Sequence, residues 1–410
     1  MFPTPSMSQT IATWLDQYVP FDLNCLPLES YLVGGTVRDI LLGRKRDYLD
    51  LDFIIPQKAI EVAQHLAKTY QAGFVVLDRE RYIARVVFPQ ITCDFAQQEG
   101  ETLEADLWRR DFTINAIAYC FREAKISDPT GGLNDLKHQV IRMISARNLQ
   151  DDPLRLLRGY RQAAQLNFTL ESTTQLTLKE LAPELKKVAG ERVKTELNYL
   201  LSSPLGSYWL EVAWQDKILE SWLPNATAES VSLLAEIDHC AALINSKFKV
   251  NISESVALAK FTLLLSPSKA GAELLNLKAS RLEIKLIINA LQKFNLLKEN
   301  PSSLTVREQY FLFLETQDSF VILTLLCLIF KIFPEEMMSL LERYLNLEDP
   351  LAHPKPLVTG NDLQEYLGIK PSPLIGKLLT ELQIAYIEGK VHTVQESLTL
   401  AREILEKNNP

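Results

Sequence analysis

Residues 31–55 read YLVGGTVRDILLGRKRDYLDLDFII. A short apolar run, Tyr31–Val33, stops at Gly34-Gly35. Thr36–Leu42 then places Val37, Ile40 and Leu41 at helical spacing and ends at Gly43. A loop leads to Asp50-Leu51-Asp52 and the apolar Phe53-Ile54-Ile55. The order is strand, turn, short helix, loop, strand. Residues i and i+2 of a strand share a face, so Asp50 and Asp52 point the same way and Leu51 points into the core.

Two carboxylates side by side at a sheet edge repel each other unless a cation sits between them. A hard divalent ion such as Mg²⁺ suits oxygen ligands of this kind. The Gly-Gly turn offers backbone N–H groups at a helix start, with Arg38 one turn on, an arrangement that suits a polyphosphate. A lone D-x-D is ordinarily a solvated turn and a lone Gly-Gly just a turn. Together, in this order, they point to nucleotidyl transfer.

The stretch G-G-x-V-R-D followed by D-x-D at a strand start resembles the signature of the class II tRNA nucleotidyltransferase and bacterial poly(A) polymerase family, within the polymerase-β-like superfamily. The resemblance implies an α/β nucleotidyltransferase head with a small mixed sheet, followed by an all-α neck, body and tail. It divides the chain into a head at 1–139, a neck with the base-recognition helix at 140–205, a helical body at 206–345 and a helical, tRNA-binding tail at 346–410.

Composition agrees with an enzyme of this kind. A chain of 410 residues carries two to four domains. A net charge of −8 argues against a surface coated in basic residues but leaves room for a local basic groove. The five cysteines, Cys25, Cys93, Cys120, Cys240 and Cys327, are scattered and form no C-x-x-C, which fits a reducing cytoplasm. The N-terminus has no basic segment followed by an apolar one, so no signal peptide is expected. The most apolar run, Phe320–Phe330, is too short to span a bilayer and reads as a buried helix, so no membrane association is expected.

In chain order, Gln9–Tyr18 has an amphipathic helical pattern, and Lys58–Tyr70 another. Phe74–Leu77, Ile83–Phe88 and Ile91–Phe95 read as strands of a largely antiparallel sheet. Asp94, in the last of these, has two open readings, a third acid beside Asp50 and Asp52 or a surface carboxylate. Leu103–Cys120 contains Arg109-Arg110-Asp111-Phe112-Thr113-Ile114-Asn115-Ala116. Adjacent arginines on a helix are ordinarily solvated, but in so apolar a stretch at least one needs a partner. The run matches the family's R-R-D-F-T-x-N-A motif, which implies that Arg110 contacts nucleotide phosphates and Asn115 lies near the sugar. Asp128–Leu136 reads as a turn-rich loop and resembles the third family motif.

From Arg142 the pattern is helical. Asp151-Asp152-Pro153 reads as a helix start, an aspartate cap followed by proline. Arg155, Arg158 and Arg161 then recur on one side of that helix, either as a solvated face or as a functional one. The family carries E-D-x-x-R here. Asp152 and Arg155 match, and Asp151 departs from the family's glutamate. The resemblance implies that Asp152 and Arg155 read the incoming base. Cytosine and adenine each present an amino donor beside a ring acceptor, which a carboxylate and a guanidinium satisfy. Uracil and guanine present the reverse order and would leave the pair unbonded, at roughly 1–3 kcal/mol per missing bond.

Gly190-Glu191-Arg192-Val193 through Leu201 resembles the fifth motif, and Lys186, Lys187, Arg192 and Lys194 equally read as surface charge. No His-Asp dipeptide occurs, so an appended metal phosphohydrolase domain is not expected. Lys370, Lys377 and the backbone near Gly376 are candidates for tRNA phosphate contacts.

The expected function is addition of C residues to the tRNA 3′ end from CTP without a template, releasing pyrophosphate. Asp50 and Asp52 would be the catalytic pair and hold two Mg²⁺ ions. Gly35, Arg38, Arg110, Asp152, Arg155, Arg158 and Arg161 would bind the nucleotide. The connection between Asp94 and Arg109 is short. Members that add the terminal A have a longer one with a flexible loop, so the resemblance is to CC-adding members, with a separate A-adding enzyme acting on the same tRNA. Full CCA addition, using ATP as well, is the alternative, followed by A addition or poly(A) synthesis. A poly(A) polymerase would be expected to carry a basic extension after the helical body. A non-catalytic RNA-binding scaffold would be expected to have lost a carboxylate or an arginine that is present here.

Overall fold

The two strands expected around the Gly-Gly turn form and lie side by side, inside a sheet. A computed structural model describes residues 6–44, 48–299 and 303–408. Residues 45–47, in the loop expected before Asp50, lie outside the described residues. The chain divides into two compact units, Met1–Trp222 and Leu223–Pro410.

The first unit contains β1 (Tyr31–Val33), β2 (Leu49–Ile55), β3 (Gly73–Asp78), β4 (Ile83–Val87), β5 (Ile91–Gln97), β6 (Ala118–Cys120) and β7 (Lys125–Ser127). Among the described residues these make one seven-stranded sheet in the order β3-β4-β5-β2-β1-β6-β7. All neighbouring pairs are antiparallel except β2 with β5. The mixed, largely antiparallel head is as the sequence implies.

Alternation along β2 sets its two faces. Leu51, Phe53 and Ile55 are buried on one side, where Phe53 stacks on Phe95 at 5.2 Å and Phe21 packs beside both. Each such ring contributes roughly 1.5–3 kcal/mol by leaving water. Helix α1 (Met7–Tyr18) precedes the strands, α2 (Gly35–Leu41) lies between β1 and β2, and α3 (Ala59–Thr69) packs across β3, β4 and β5. α1 opens on a Ser6–Gln9 capping box, buries Ile11 and Leu15, and packs on α2. The other face of β2 carries Asp50, Asp52 and Ile54. Ile54 is covered by Leu103 and Leu107 of α4 (Leu103–Trp108), with Val33, Ala116 and Ala118. The carboxylates lie beyond that cover.

Three stretches resolve into finer detail. Leu103–Cys120 is not one element: α4 ends at Trp108, Thr113–Asn115 is a single 3₁₀ turn, and Ala118–Cys120 is strand β6 paired with β1. Asp111 is the reason, since its carboxylate binds its own Phe112 N–H at 2.8 Å and Asn115 Nδ2 at 2.9 Å, replacing helical bonds. Asp128–Leu136 is only partly loop. Asp128 accepts from Gly132 N and Leu133 N and starts α5 (Gly132–His138). A Cβ on Gly132 would lie 2.2 Å from the Thr113 carbonyl oxygen, so glycine is what lets α5 press against that turn. Asp151 does not cap the arginine helix. It closes α6 (Ala146–Asp151), the chain extends through Asp152 before Pro153, and α7 (Leu154–Leu166) follows. The cap contact comes from Asp152, which accepts from Leu154 N at 3.4 Å.

α7 buries Leu154, Leu157 and Tyr160 and packs against α9 (Gly190–Leu201), after the intervening α8 (Ser172–Leu181), and against α10 (Gly206–Gln215). This leaves its arginine side facing the head.

The second unit is helical among the described residues. Phe320–Ile329 is a buried helix, as expected. With Val306–Thr316 it forms a run long and apolar enough to cross a membrane by length and composition, but 67% of the apolar window is buried and the chain turns at Gln317 (φ 45°). It is a core helix pair. Helices Gly360–Leu367, Pro373–Ile387 and Val394–Asn408 surround a small core of Leu363, Ile375, Leu378, Leu382 and Ala401.

Candidate active site

Asp50 and Asp52 open onto a cavity of about 450 Å³ between the sheet and α7. All nine expected site residues line it: Gly35, Arg38, Asp50, Asp52, Arg110, Asp152, Arg155, Arg158 and Arg161. Its full lining holds eight arginines and five aspartates, so it is a local basic pocket in an acidic chain.

Gly34 sits at φ 73° and ψ −141°, a conformation that side chains disfavour, and starts α2. A Cβ there would stand 3.3 Å from Arg110 Nη1 and 3.4 Å from Asp52 Oδ2, so the turn lies against both the carboxylate and the arginine. Thr36 donates to the Asp50 carbonyl at 2.6 Å and ties α2 to β2. The Asp50 carboxylate accepts from the Thr92 hydroxyl. Burial and the neighbouring Asp94 push the Asp52 carboxyl up to about 6, with Asp50 adding and Arg110 and Arg158 opposing. A cation between Asp50 and Asp52 would relieve this excess of negative charge, so the residues present fit a divalent ion. Among the described residues no group of three or more His, Cys, Asp and Glu side chains is arranged to hold one. The pair would supply two ligands, and substrate phosphates and water the rest. Asp94 lies opposite Asp52 across β2 and β5, but both its oxygens are engaged by Arg85, at 2.7 and 2.8 Å.

The arginines are held by acids and amides. Arg38, buried, binds Asp39 at 2.8–2.9 Å and Asn115 Oδ1 at 2.7 Å. Asn115 donates to Asp111 and to Gln162. Arg158 Nε donates to Asp111 at 3.0 Å, and Glu196, also buried, pairs with both Arg158 and Arg161. Against its burial, Arg158, Asn115 and the Phe112 amide hold the Asp111 carboxyl down to about 2. Arg110 reaches Asp106 at 3.3 Å, while its buried Nε has no hydrogen-bond partner among the described residues.

At the far end, Arg155 Nη1 donates to the carbonyls of Arg109 (2.7 Å) and Asn148 (3.1 Å). Burial draws this guanidinium down from its ordinary range, with Asp111 and Asp152 opposing. Asp152 is paired with Arg192 at 3.0 and 3.2 Å. Of the basic residues around the fifth motif, Arg192 therefore belongs to the cavity.

Sequence reasoning gave no role to Asp111, Gln162, Glu196 or Trp14. Asp111 follows two arginines directly and Glu196 lies one turn beyond Arg192 on α9, so both carried a signal as partners for those charges. Trp14 and Gln162 carried none.

The Poly A polymerase head domain model matches residues 30–142, and the model for tRNA nucleotidyltransferase domain 2 matches residues 250–401. A "CC-adding tRNA nucleotidyltransferase" of Synechocystis sp. is 50% identical, over 95% of this chain and 97% of its own length. The chain belongs to the tRNA nucleotidyltransferase and poly(A) polymerase family. An "A-adding tRNA nucleotidyltransferase" of Deinococcus radiodurans is 31% identical, over 90% of this chain and 94% of its own length. A solved structure described as a tRNA-processing enzyme in an apo form superposes with a TM-score of 0.68 at 26% identity, covering 94% of this chain and 99% of that one. This family membership makes the chain a nucleotidyltransferase, and the cavity is where its residues converge.

Proposed function

We propose that this nucleotidyltransferase adds two C residues from CTP to the 3′ end of tRNA, without a template and with release of pyrophosphate. The observation that carries the CC reading is the connector between β5 and α4. It spans residues 98–102 and is pinned at both ends, by Glu99 N–H on Asp106 (2.9 Å), Arg109 on Glu99 (3.0 Å) and the Thr102 cap on Ala105 N. It leaves no slack for a loop that would re-aim the base-reading pair from C to A. The 50% identical relative named as CC-adding supports the same reading. Full CCA addition is the second reading, because an aspartate–arginine pair suits adenine as well as cytosine.

In the proposed reaction the tRNA 3′-hydroxyl attacks the α-phosphate of CTP in line and pyrophosphate leaves. Asp50 and Asp52 would hold Mg²⁺, two ions in this reading, which when bound activates the hydroxyl and neutralises the triphosphate. Arg110 faces the Gly34-Gly35 turn, and the two offer donors to phosphate oxygens. Arg38, Arg158 and Arg161 are fixed in advance by Asp39, Asp111 and Glu196, so little reorganisation accompanies binding. Asp152 accepts from the cytosine amino group and Arg155 donates to the ring acceptors. Lys370, Lys377 and the tail helices take the tRNA body. A separate A-adding enzyme completes the end.

The test is incorporation on a tRNA lacking its 3′ CCA, with labelled CTP alone, ATP alone and both, sized at single-nucleotide resolution. Arrest after two C residues with ATP present is the expected result. A third addition of A establishes the second reading, and an A ladder from ATP alone overturns both.

A further inference from the structure

The face of the sheet that carries the catalytic carboxylates does not end at the cavity. Cross-strand register continues it outward in two rows. Asp52 of β2 stands opposite Asp94 of β5, Asp94 opposite Arg85 of β4, and Arg85 opposite Val75 of β3. Beside it run Asp50, Thr92, Val87 and Gly73. On β4, Ala84 and Val86 point into the core under α3, while Arg85 and Val87 point the other way. That outward side carries an apolar–cation–apolar surface: Val75 is 49% exposed and Val87 37%, and Arg85 lies between them. The hairpin turn that joins β3 to β4 adds exposed Tyr82.

Arg85 spends one edge of its guanidinium, Nε and Nη2, on the two oxygens of Asp94. Its Nη1 makes no hydrogen bond among the described residues. Strands lie about 4.8 Å apart, so Arg85 stands roughly 10 Å from Asp52 along the sheet. The other directions from Asp52 are filled. α4 covers the strand beyond it, and the Arg110 side and α7 form the cavity that takes the nucleotide.

Resting on the reading of the chain as a tRNA nucleotidyltransferase, we propose that this open face carries the single-stranded 3′ end of the acceptor RNA, with Arg85 contacting a backbone phosphate one or two nucleotides before the reactive hydroxyl. Charge decides the register. The phosphates of an incoming strand are repelled by Asp50, Asp52 and Asp94, and Arg85 is the cation that cancels the outermost of these and offers a free edge to the strand. Val75, Val87 and Tyr82 give sugars and bases a sequence-tolerant surface, as single-strand sites do. Asp94 acts as the positioning residue that orients Arg85.

The experiment uses the full chain with a tRNA lacking CCA. Arg85→Ala is expected to weaken tRNA binding about three- to fivefold and to raise the KM for tRNA while leaving the KM for CTP unchanged. The slope of log binding constant against log salt should fall by about 0.7, the value for one lost phosphate contact on a single strand. Arg85→Lys should retain the slope. Because Arg85→Ala also frees Asp94 beside the catalytic pair, Arg85→Ala/Asp94→Ala is the companion variant, and it should show the same tRNA defect. A neutral methylphosphonate at the contacted linkage should weaken wild type and leave Arg85→Ala unaffected. Unchanged tRNA KM and salt slope in a folded Arg85→Ala overturn the proposal. So does a defect confined to metal requirement that the double variant reverses, since Arg85 would then only screen Asp94. Failure of the wild-type chain to extend tRNA at all is a different result, and it overturns the functional reading instead.

Discussion

Asp111→Asn isolates the charge that holds the arginine side of the cavity. Asp111 is buried and receives three donors, the Phe112 amide and Asn115 on Oδ1 and Arg158 on Oδ2. Asparagine has the same shape but only one oxygen, so its NH₂ group must face a donor on one side. Burial alone would raise this carboxyl, yet Arg158 and the other donors hold it near 2 against an ordinary 3.8. Such a depression is worth about 2.5 kcal/mol of stability at neutral pH. The folded value lies below the unfolded one, so this stability is full above about pH 4 and is lost as pH falls toward 2. By the same linkage about 1 kcal/mol of it disappears between pH 6 and pH 3. The assay is urea unfolding of wild type and variant, followed by a probe in the first unit, at both pH values. The variant should be less stable by about 2–4 kcal/mol at pH 6, with a gap about 1 kcal/mol smaller at pH 3. It should also raise the KM for CTP, because Arg158 loses its anchor. A gap that is the same at both pH values would refute an ionised Asp111 as the anchor.

Gly34→Ala should lower the melting temperature of the first unit by roughly 2–12 °C, from about 1–3 kcal/mol of backbone strain, and should reduce incorporation because the methyl crowds Arg110 and Asp52; an unchanged melting curve would show the turn tolerates a side chain. Asp152→Ala should cut discrimination of CTP against UTP by roughly 5- to 150-fold, the worth of one or two unmade bonds, read as a ratio of kcat/KM; retained selectivity would place base reading elsewhere. Asp50→Ala and Asp52→Ala should each abolish incorporation with tRNA binding near wild type, and activity in either would remove that residue from the catalytic pair. With Asp52 held up to about 6, protons and metal compete for one carboxylate, so the acid limb of activity should move to lower pH by up to about one unit per tenfold rise in Mg²⁺. A limb that ignores Mg²⁺ would contradict it.

Strand β2 was legible because its pattern is local. Asp50 and Asp52 share a face by the two-residue period of a strand, and Gly34 marks a turn that no other residue suits. Arg155, Arg158 and Arg161 were legible as one side of a helix, though not as a cavity wall, since helical spacing cannot say what a face meets. Leu103–Cys120 was harder, because its apolar density is compatible with a helix and only Asp111 and Asn115, bonding back to the chain, break it. Asp94 was undecidable in sequence. Its partner Arg85 sits across a hairpin, and only register puts the two together. Trp14 reaches the cavity through the packing of α1 on α2, which no spacing encodes.

A protein template has to be rigid to choose a base, and bare arginines are a poor material for rigidity because they repel one another and carry long, mobile side chains. Here Arg38, Arg158 and Arg161 are each tethered to a buried acid, Asp39, Asp111 and Glu196. The tethers exchange affinity for position: each acid cancels part of the charge that would attract a triphosphate, and fixes where the remaining donors point. On the proposed reading, phosphate binding in this cavity would rest less on net arginine charge than a count of eight suggests, and cations held by Asp50 and Asp52 would supply the balance, which would couple nucleotide affinity to the metal. The same trade applies to Asp152, which Arg192 holds in one direction: on the proposed reading, a carboxylate that selects a base needs that direction fixed before the base arrives.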